Sequence, residues 1–236
     1  MVEGLKGLVE LARIDTEIAT RVSRKDALPA KRRKCEERRR TSADRIVTAR
    51  AATESVELAQ RQHEARARDQ QALLEKLEGQ QHQVKSNEAY TTLLHEMEVA
   101  KDAISEAETA VLESMEILDQ GQADIASAER VHAEEVAATE AEETDLDASE
   151  RALDAELEAY RSERAALSQT IDRATLTLYE RVARRRIPAI AVVTNETCTG
   201  CSVGIPPQNY LEVRTAESLI SCGQCNRILI HQVHLD

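Results

Sequence analysis

The stretch Gly79-Gln80-Gln81-His82-Gln83-Val84-Lys85-Ser86-Asn87-Glu88 sits near the midpoint of a 178-residue segment otherwise made of helix-forming residues. Gly79 is a poor interior helix residue. Ser86 or Asn87 suits an N-cap, and Glu88 in the following turn favours the helix dipole. A break here divides the segment into two arms of ~80–90 residues, roughly 120–135 Å each if fully helical. An antiparallel hairpin with its tip at about residues 79–89 is therefore expected.

On both sides of the break, apolar or small residues recur at alternating steps of three and four. One run is Ile46, Ala49, Thr53, Val56, Gln60, His63, Ala67, Gln70, Leu74, Leu77. The other starts at Tyr90 and continues through Leu93, Met97, Ala100, Ile104, Ala107, Val111, Ser114, Leu118 and Gly121 to Ile125 and Ala128. This is a heptad seam. Many of its residues are small or polar, so it buries little area per turn. A third run, Leu153, Leu157, Tyr160, Leu167, Ile171, Ala174, Leu178, reads as the end of the return arm. Leu28-Pro29-Ala30 should kink or interrupt the first arm, because proline lacks the backbone donor and clashes with the preceding turn.

Charge supports the antiparallel arrangement. Folding about residue 84 places residue i opposite about 168 − i. Residues 21–50 hold 12 basic and 4 acidic side chains; their partners by this rule, around 118–147, lie mostly within residues 128–158, which hold 12 acidic and 2 basic ones. A parallel dimer in register would stack like charges instead, and flanking charges commonly set helix orientation. The basic run Lys31 to Arg40 thus has an intramolecular explanation. A nucleic-acid patch is the other reading.

Composition narrows the function classes. The chain has 236 residues, no Phe, no Trp, 4 Tyr, 7 Gly and 4 Pro, and 31% of it is charged. That profile fits long helices and excludes Gly-rich phosphate-loop α/β enzymes and strand-rich sandwiches or barrels. A net charge of −12 argues against non-specific coating of nucleic acid. No run of ~20 apolar residues forms a membrane span. The first ten residues lack the apolar core of a signal peptide, so a cytoplasmic protein is expected.

The last part of the chain is a different material. Residues 1–178 carry 25 basic and 38 acidic side chains, against 6 and 5 in residues 179–236. Four of the five cysteines lie in the latter, as Cys198-Thr199-Gly200-Cys201 and Cys222-Gly223-Gln224-Cys225. Two C-x-x-C pairs at this separation fit a structural Zn2+ site. Each pair lets two thiolates reach one ion at ~2.3 Å, and four thiolates close the tetrahedral shell with no position open for catalysis. Gly200 and Gly223 suit turns that aim backbone N–H groups at sulfur. Ala189 to Val193, Ser218 to Ile220 and Ile228 to Ile230 read as short strands. A short helix follows Pro206-Pro207. Residues 187–236 therefore read as a C4 zinc ribbon, and residues 1–180 as the hairpin. A pair of redox C-x-x-C motifs, or iron in place of zinc, are the other readings.

His231 and His234 read as solvated residues at a strand end. Cys35, His63 and His132 fall on the seam as tolerated core positions. Arg181, Arg184, Arg185 and Arg186 cluster where coil meets ribbon, joined by Arg214 and Arg227 on the ribbon. They are the expected contacts for nucleic acid or an acidic protein surface, or cations favoured at a helix C-terminus. Lys85, Asn87 and Tyr90 are the expected partner contacts at the hairpin tip.

These motifs resemble the bacterial C4-type zinc-ribbon coiled-coil family, whose members are described as predicted nucleic-acid-binding zinc-ribbon proteins. The resemblance rests on Leu8 to Ile18, Leu28-Pro29, Val84-Lys85-Ser86-Asn87-Glu88-Ala89-Tyr90 with Leu93-Leu94, Leu178-Tyr179-Glu180-Arg181, Ile205-Pro206-Pro207-Gln208, Arg227-Ile228-Leu229 and the two cysteine pairs. Ser86 stands where the family usually has Thr. The resemblance implies a hook-shaped hairpin with a terminal ribbon and no catalytic activity. In some bacteria relatives bind an alternative sigma factor and RNA in flagellar gene regulation. The expected function is a non-enzymatic adaptor that binds a protein partner through coil or tip, in transcription or RNA regulation, with nucleic acid at the ribbon. Direct nucleic-acid binding through the ribbon and its Arg-rich joint is the alternative.

Overall fold

The computed structural model describes residues 4–234. Its elements are α1 (Leu5–Gln81), α2 (Asn87–Ser168), α3 (Arg173–Ala183), β1 (Ile190–Thr194), β2 (Thr197–Cys198), β3 (Val203–Gly204), α4 (Pro207–Thr215), β4 (Ile220–Ser221) and β5 (Ile228–His231). The protein is mainly α-helical, with α1 and α2 packed as an antiparallel hairpin and a small C-terminal β region. Among the described residues no helix is long and apolar enough to cross a membrane. The chain divides into two compact units, one spanning Arg33–Glu143 and the other formed by the residues before and after it.

In the unit Arg33–Glu143, α1 ends at Gln81 and α2 begins at Asn87. Ser86 Oγ accepts the Ala89 amide at 3.2 Å, so Ser86 caps α2. Leu74, Leu77, Leu93, Met97 and Ala100 form a small core beside the turn. Gly121 lets the helices come close: a Cβ there would lie 2.7 Å from Thr53 Oγ1. Further along, Arg38 binds Glu135 and Glu142, Arg39 binds Glu143 and Arg50 binds Glu129. These partners differ from those of a fold about residue 84, which assigns Arg39 to residue 129 and Arg66 to residue 102. Arg39 meets Glu143 and Arg66 meets Glu106. The helices themselves pair about a later point: the close pair Thr53 and Gly121, which involves no long side chain, centres on residue 87 and not 84. Long side chains add to this, because they lean toward their own N-terminus and the two leans are opposite in an antiparallel pair. Cys35 is buried, as expected, with its thiol 3.4 Å from Glu142. His132 Nδ1 lies 2.8 Å from Ser42 Oγ across the seam.

In the other unit, α1 and α2 remain antiparallel, joined by Lys25 to Asp154 and by Arg32 to Asp147 and Glu150. The Arg21 guanidinium stacks over Tyr160, 4.3 Å from its centroid. The expected interruption at Pro29 does not occur: α1 runs through it as helix. The lost bond is offset where Leu28 is buried and Lys25 and Arg32 hold α2.

The return arm, however, is not one helix. It stops at Ser168 and restarts at Arg173, where Asp172 Oδ1 accepts the Ala174 and Thr175 amides at 3.0 Å each. Ile171 in the gap packs at Gly7, where a Cβ would lie 3.2 Å from its side chain. The helix α3 is pinned by a buried node. Tyr179 OH donates to Asp15 Oδ2 at 2.8 Å, and Arg164 Nε donates to Asp15 Oδ1 at 2.6 Å. Burial, then the Asp15 carboxylate, push the Tyr179 phenol far above its ordinary range, so it stays a donor.

The β region is a five-stranded sheet in the order β3-β2-β1-β5-β4. Only β1 and β5 pair in parallel. Asn195 and Glu196 both have positive φ, the two-residue turn that closes a β1–β2 hairpin. One face of the sheet, with Ile190, Ile228 and Ile230, packs on Leu8, Leu11, Tyr179 and Val182. The other holds Val193, Leu229, Val213 and the cysteines.

Candidate metal centre and the adjoining arginine cleft

Cys198 ends β2, Cys201 follows in the next turn, and Cys222 and Cys225 bracket the turn between β4 and β5. Their four Sγ atoms lie within 4.8 Å of one another. Across the two turns, Cys198 Sγ is 3.8 Å from Cys225 Sγ, and Cys201 Sγ is 3.7 Å from Cys222 Sγ. Sulfurs ~2.3 Å from one tetrahedral ion lie about 3.8 Å apart, so the cage fits a single Zn2+. None of the four is in a disulfide. The ion supplies a cross-link between the two turns, and the protein supplies the complete shell.

The backbone completes the site. The Gly200 amide bonds Cys198, the Val203 amide bonds Cys201 and the Arg227 amide bonds Cys225. The residues that turn these amides inward are not the glycines expected from the motif. Ser202 (φ 58) and Asn226 (φ 60), each directly after the second cysteine of a pair, take the left-handed conformation. Gly200 is required for a different reason: a Cβ there would lie 2.9 Å from Arg227 Cδ and 3.1 Å from Ala191 Cβ. Gly223 faces open space. Burial pushes the Cys198 thiol up to about 12. At Cys225 burial is outweighed by the Arg227 amide and the neighbouring thiols, which bring it down to about 7. Metal binding displaces the protons the thiols still hold.

Of the arginines expected on the binding surface, Arg227 is engaged within the ribbon. Its Nε donates to the Pro188 carbonyl at 2.8 Å and Nη1 to the Gly200 carbonyl at 2.7 Å. Arg181, Arg185 and Arg186 line one side of a cleft of about 450 Å³, facing Ser221, Cys225 and Asn226 of the second knuckle. Arg184, at the C-cap of α3, turns to a smaller hollow beside Asp15 and Glu180. Arg214 lies exposed on α4, its carbonyl 3.0 Å from His234 Nε2. His231 pairs with Tyr210 OH at 3.2 Å, and burial lowers its imidazole below the ordinary range. Neither histidine belongs to the sulfur cluster. At the tip, Lys85 and Asn87 are exposed, and Tyr90 OH accepts Gln81 Nε2 at 3.2 Å.

Sequence reasoning missed the Asp15–Arg164–Tyr179 node, which fixes the helix that carries the arginines. Its three members are far apart in sequence and each is unremarkable alone.

No curated protein matches the chain. Three solved structures share its fold over nearly the whole length. CT398 from Chlamydia trachomatis is 21% identical with a TM-score of 0.79, covering 97% of this chain and 98% of that one. The HP0958 protein from Helicobacter pylori is 18% identical with a TM-score of 0.67, covering 97% of each chain. A protein from Mycobacterium smegmatis is 20% identical with a TM-score of 0.67, covering 96% of each. Residues 197–229 match the family model of the C4-type zinc ribbon domain. The sulfur cage lies within this match, and its geometry agrees with what a C4-type zinc ribbon domain requires.

Proposed function

We propose that the protein is a non-enzymatic adaptor, in which zinc builds a binding head and the hairpin offers a long surface to a protein partner. The observation that supports this most is the closed four-sulfur site beside a cleft lined by Arg181, Arg185 and Arg186. A saturated thiolate shell serves architecture, which leaves surfaces to carry the function. The three guanidiniums have no carboxylate partner among the described residues and suit an acidic protein surface.

The same cleft favours a second reading, direct binding of nucleic acid through the phosphate backbone. The two are separated by copurification from the native cytosol, with and without nuclease, using the zinc-loaded full chain, an Arg185/Arg186→Ala variant and an Arg184→Ala control. A protein partner that survives nuclease supports the adaptor. Recovery only of nuclease-sensitive material, lost in Arg185/Arg186→Ala and kept in Arg184→Ala, replaces it with the nucleic-acid reading. Binding of single-stranded RNA would then weaken with salt by a log–log slope of about 0.7 per phosphate contacted.

A further inference from the structure

Within the unit Arg33–Glu143, one side of the hairpin carries a continuous groove. Two hollows of about 410 and 480 Å³ lie between α1 and α2 and share Ala67, Arg68 and Glu108. Ala67 and Ala72 leave space on the α1 side, and Ile104 and Val111 give α2 an apolar wall. Leu112 extends that wall and is 64% exposed. Met115, three residues on, is 50% exposed. On α1 the groove runs from Glu64 to Glu75, about 16 Å or three helical turns.

Its rim differs from the rest of the coil. Further from the turn, carboxylates of α2 are met by cations of α1, as in Arg39–Glu143 and Arg50–Glu129, and beside the groove Arg66 lies 3.6 Å from Glu106. At the groove, Glu64 and Glu75 accept only from glutamines one turn away, and Glu108 has no ion-pair partner among the described residues. Arg68 is the one cation on the lining. Residues 54–119 as a whole hold 15 acidic and 6 basic side chains. A second copy of so acidic a surface would be repelled. A cationic rim on the occupant would be attracted.

We infer that this groove receives a partner's amphipathic helix of about three turns, with apolar anchors at i, i+3 and i+7 and lysines or arginines along both flanks. This rests on the adaptor reading and names the partner's chemistry.

The test uses the zinc-loaded full chain as bait for a displayed library of helical peptides. Leucines are fixed at i, i+3 and i+7, and the flanking positions vary among Lys, Glu and Gln. The expected result is enrichment of Lys-flanked peptides whose affinity, read by fluorescence anisotropy, falls at least tenfold in Leu112→Ser and in Glu108→Lys. Both positions are exposed, and unchanged helix content by circular dichroism confirms an intact hairpin. Enrichment of Glu- or Gln-flanked peptides, or binding indifferent to both variants, overturns the inference. So does loss of self-association in Leu112→Ser by sedimentation, which assigns the groove to a second copy. Peptides displaced instead by Tyr90→Ala or by Arg185/Arg186→Ala overturn the groove and leave the adaptor reading standing. Absence of any bound peptide overturns the groove and removes the coil surface from the adaptor reading as well.

Discussion

Replacing Gly200 with alanine should damage the zinc site, whereas the same change at Gly223 should not. The Gly200 backbone tolerates a side chain, since its φ is not in the left-handed range. What it lacks is space. The new Cβ would lie 2.9 Å from both Arg227 Cδ and Nη1 and 3.1 Å from Ala191 Cβ. Arg227 must therefore move. It then loses its bonds to the Pro188 and Gly200 carbonyls, at 2.8 and 2.7 Å, which fasten the second knuckle to the segment before β1 and to the first knuckle. A bond from a charged donor contributes ~1.5–3 kcal/mol, and we take about 1 kcal/mol for each because Arg227 is half-exposed. Metal binding and folding of so small a unit are coupled, so the loss of about 2 kcal/mol appears as zinc affinity weakened about 30-fold. Chelator competition with the full chain at pH 7 measures this. Equal affinities for Gly200→Ala and Gly223→Ala would refute the reasoning, as would a larger loss at Gly223.

Three other outcomes follow from particular contacts. Removing zinc with a chelator should abolish the β signal while leaving the helical signal nearly intact, because the hairpin's cores contain no sulfur ligand. A thiol assay should then count four reactive sulfurs, with Cys35 masked by burial until the coil unfolds. Tyr179→Phe should cost about 1.5 kcal/mol, the low end for a bond to a charged acceptor, because Arg164 still holds Asp15. Hydrogen exchange of α3 amides should quicken about tenfold, and a double-mutant cycle with Asp15→Asn should show the two changes to be coupled. The Asp172 carboxyl is held below its usual range by its bonds to Thr175, then Ala174. Its stabilisation of α3 is therefore complete above the ordinary aspartate range and is lost as pH falls through the lowered value. Asp172→Asn, which keeps an N-cap acceptor, should remove that acid-induced loosening of α3 in a pH series of the same exchange experiment.

The hairpin and the metal ligands were readable because each is written locally. A glycine and an N-cap serine mark the turn, a 3-4 period marks the seam, and cysteine spacing marks the cage. The break at Gln169 to Asp172 was not readable, because Leu167, Ile171, Ala174 and Leu178 keep helical spacing straight across it. Only the capping ability of Asp172 signals the restart. An interruption at Pro29, one of the two outcomes expected there, did not occur. A local rule against helix was overridden by packing of Leu28 and ion pairs to α2. The helix register was off because the pairing was centred on residue 84, the middle of the turn, whereas the close pair Thr53–Gly121 centres on 87, and opposite side-chain leans carry long partners further still. Asn226 in the left-handed position could have been inferred, since asparagine is enriched there. Ser202 carries no such signal. The division of labour among the arginines was invisible in sequence: six looked alike, yet one fastens the ribbon, one turns to Asp15, three line a cleft and one lies exposed on α4.

X-ray absorption at the zinc edge, on the full chain with its zinc content measured, is the most direct test of a purely structural metal. One zinc per chain with four sulfurs at about 2.3 Å and no lighter neighbour is the predicted result. A nitrogen or oxygen in the first shell would mean an open or exchangeable position, and would contradict both the closed site and the non-enzymatic reading built on it.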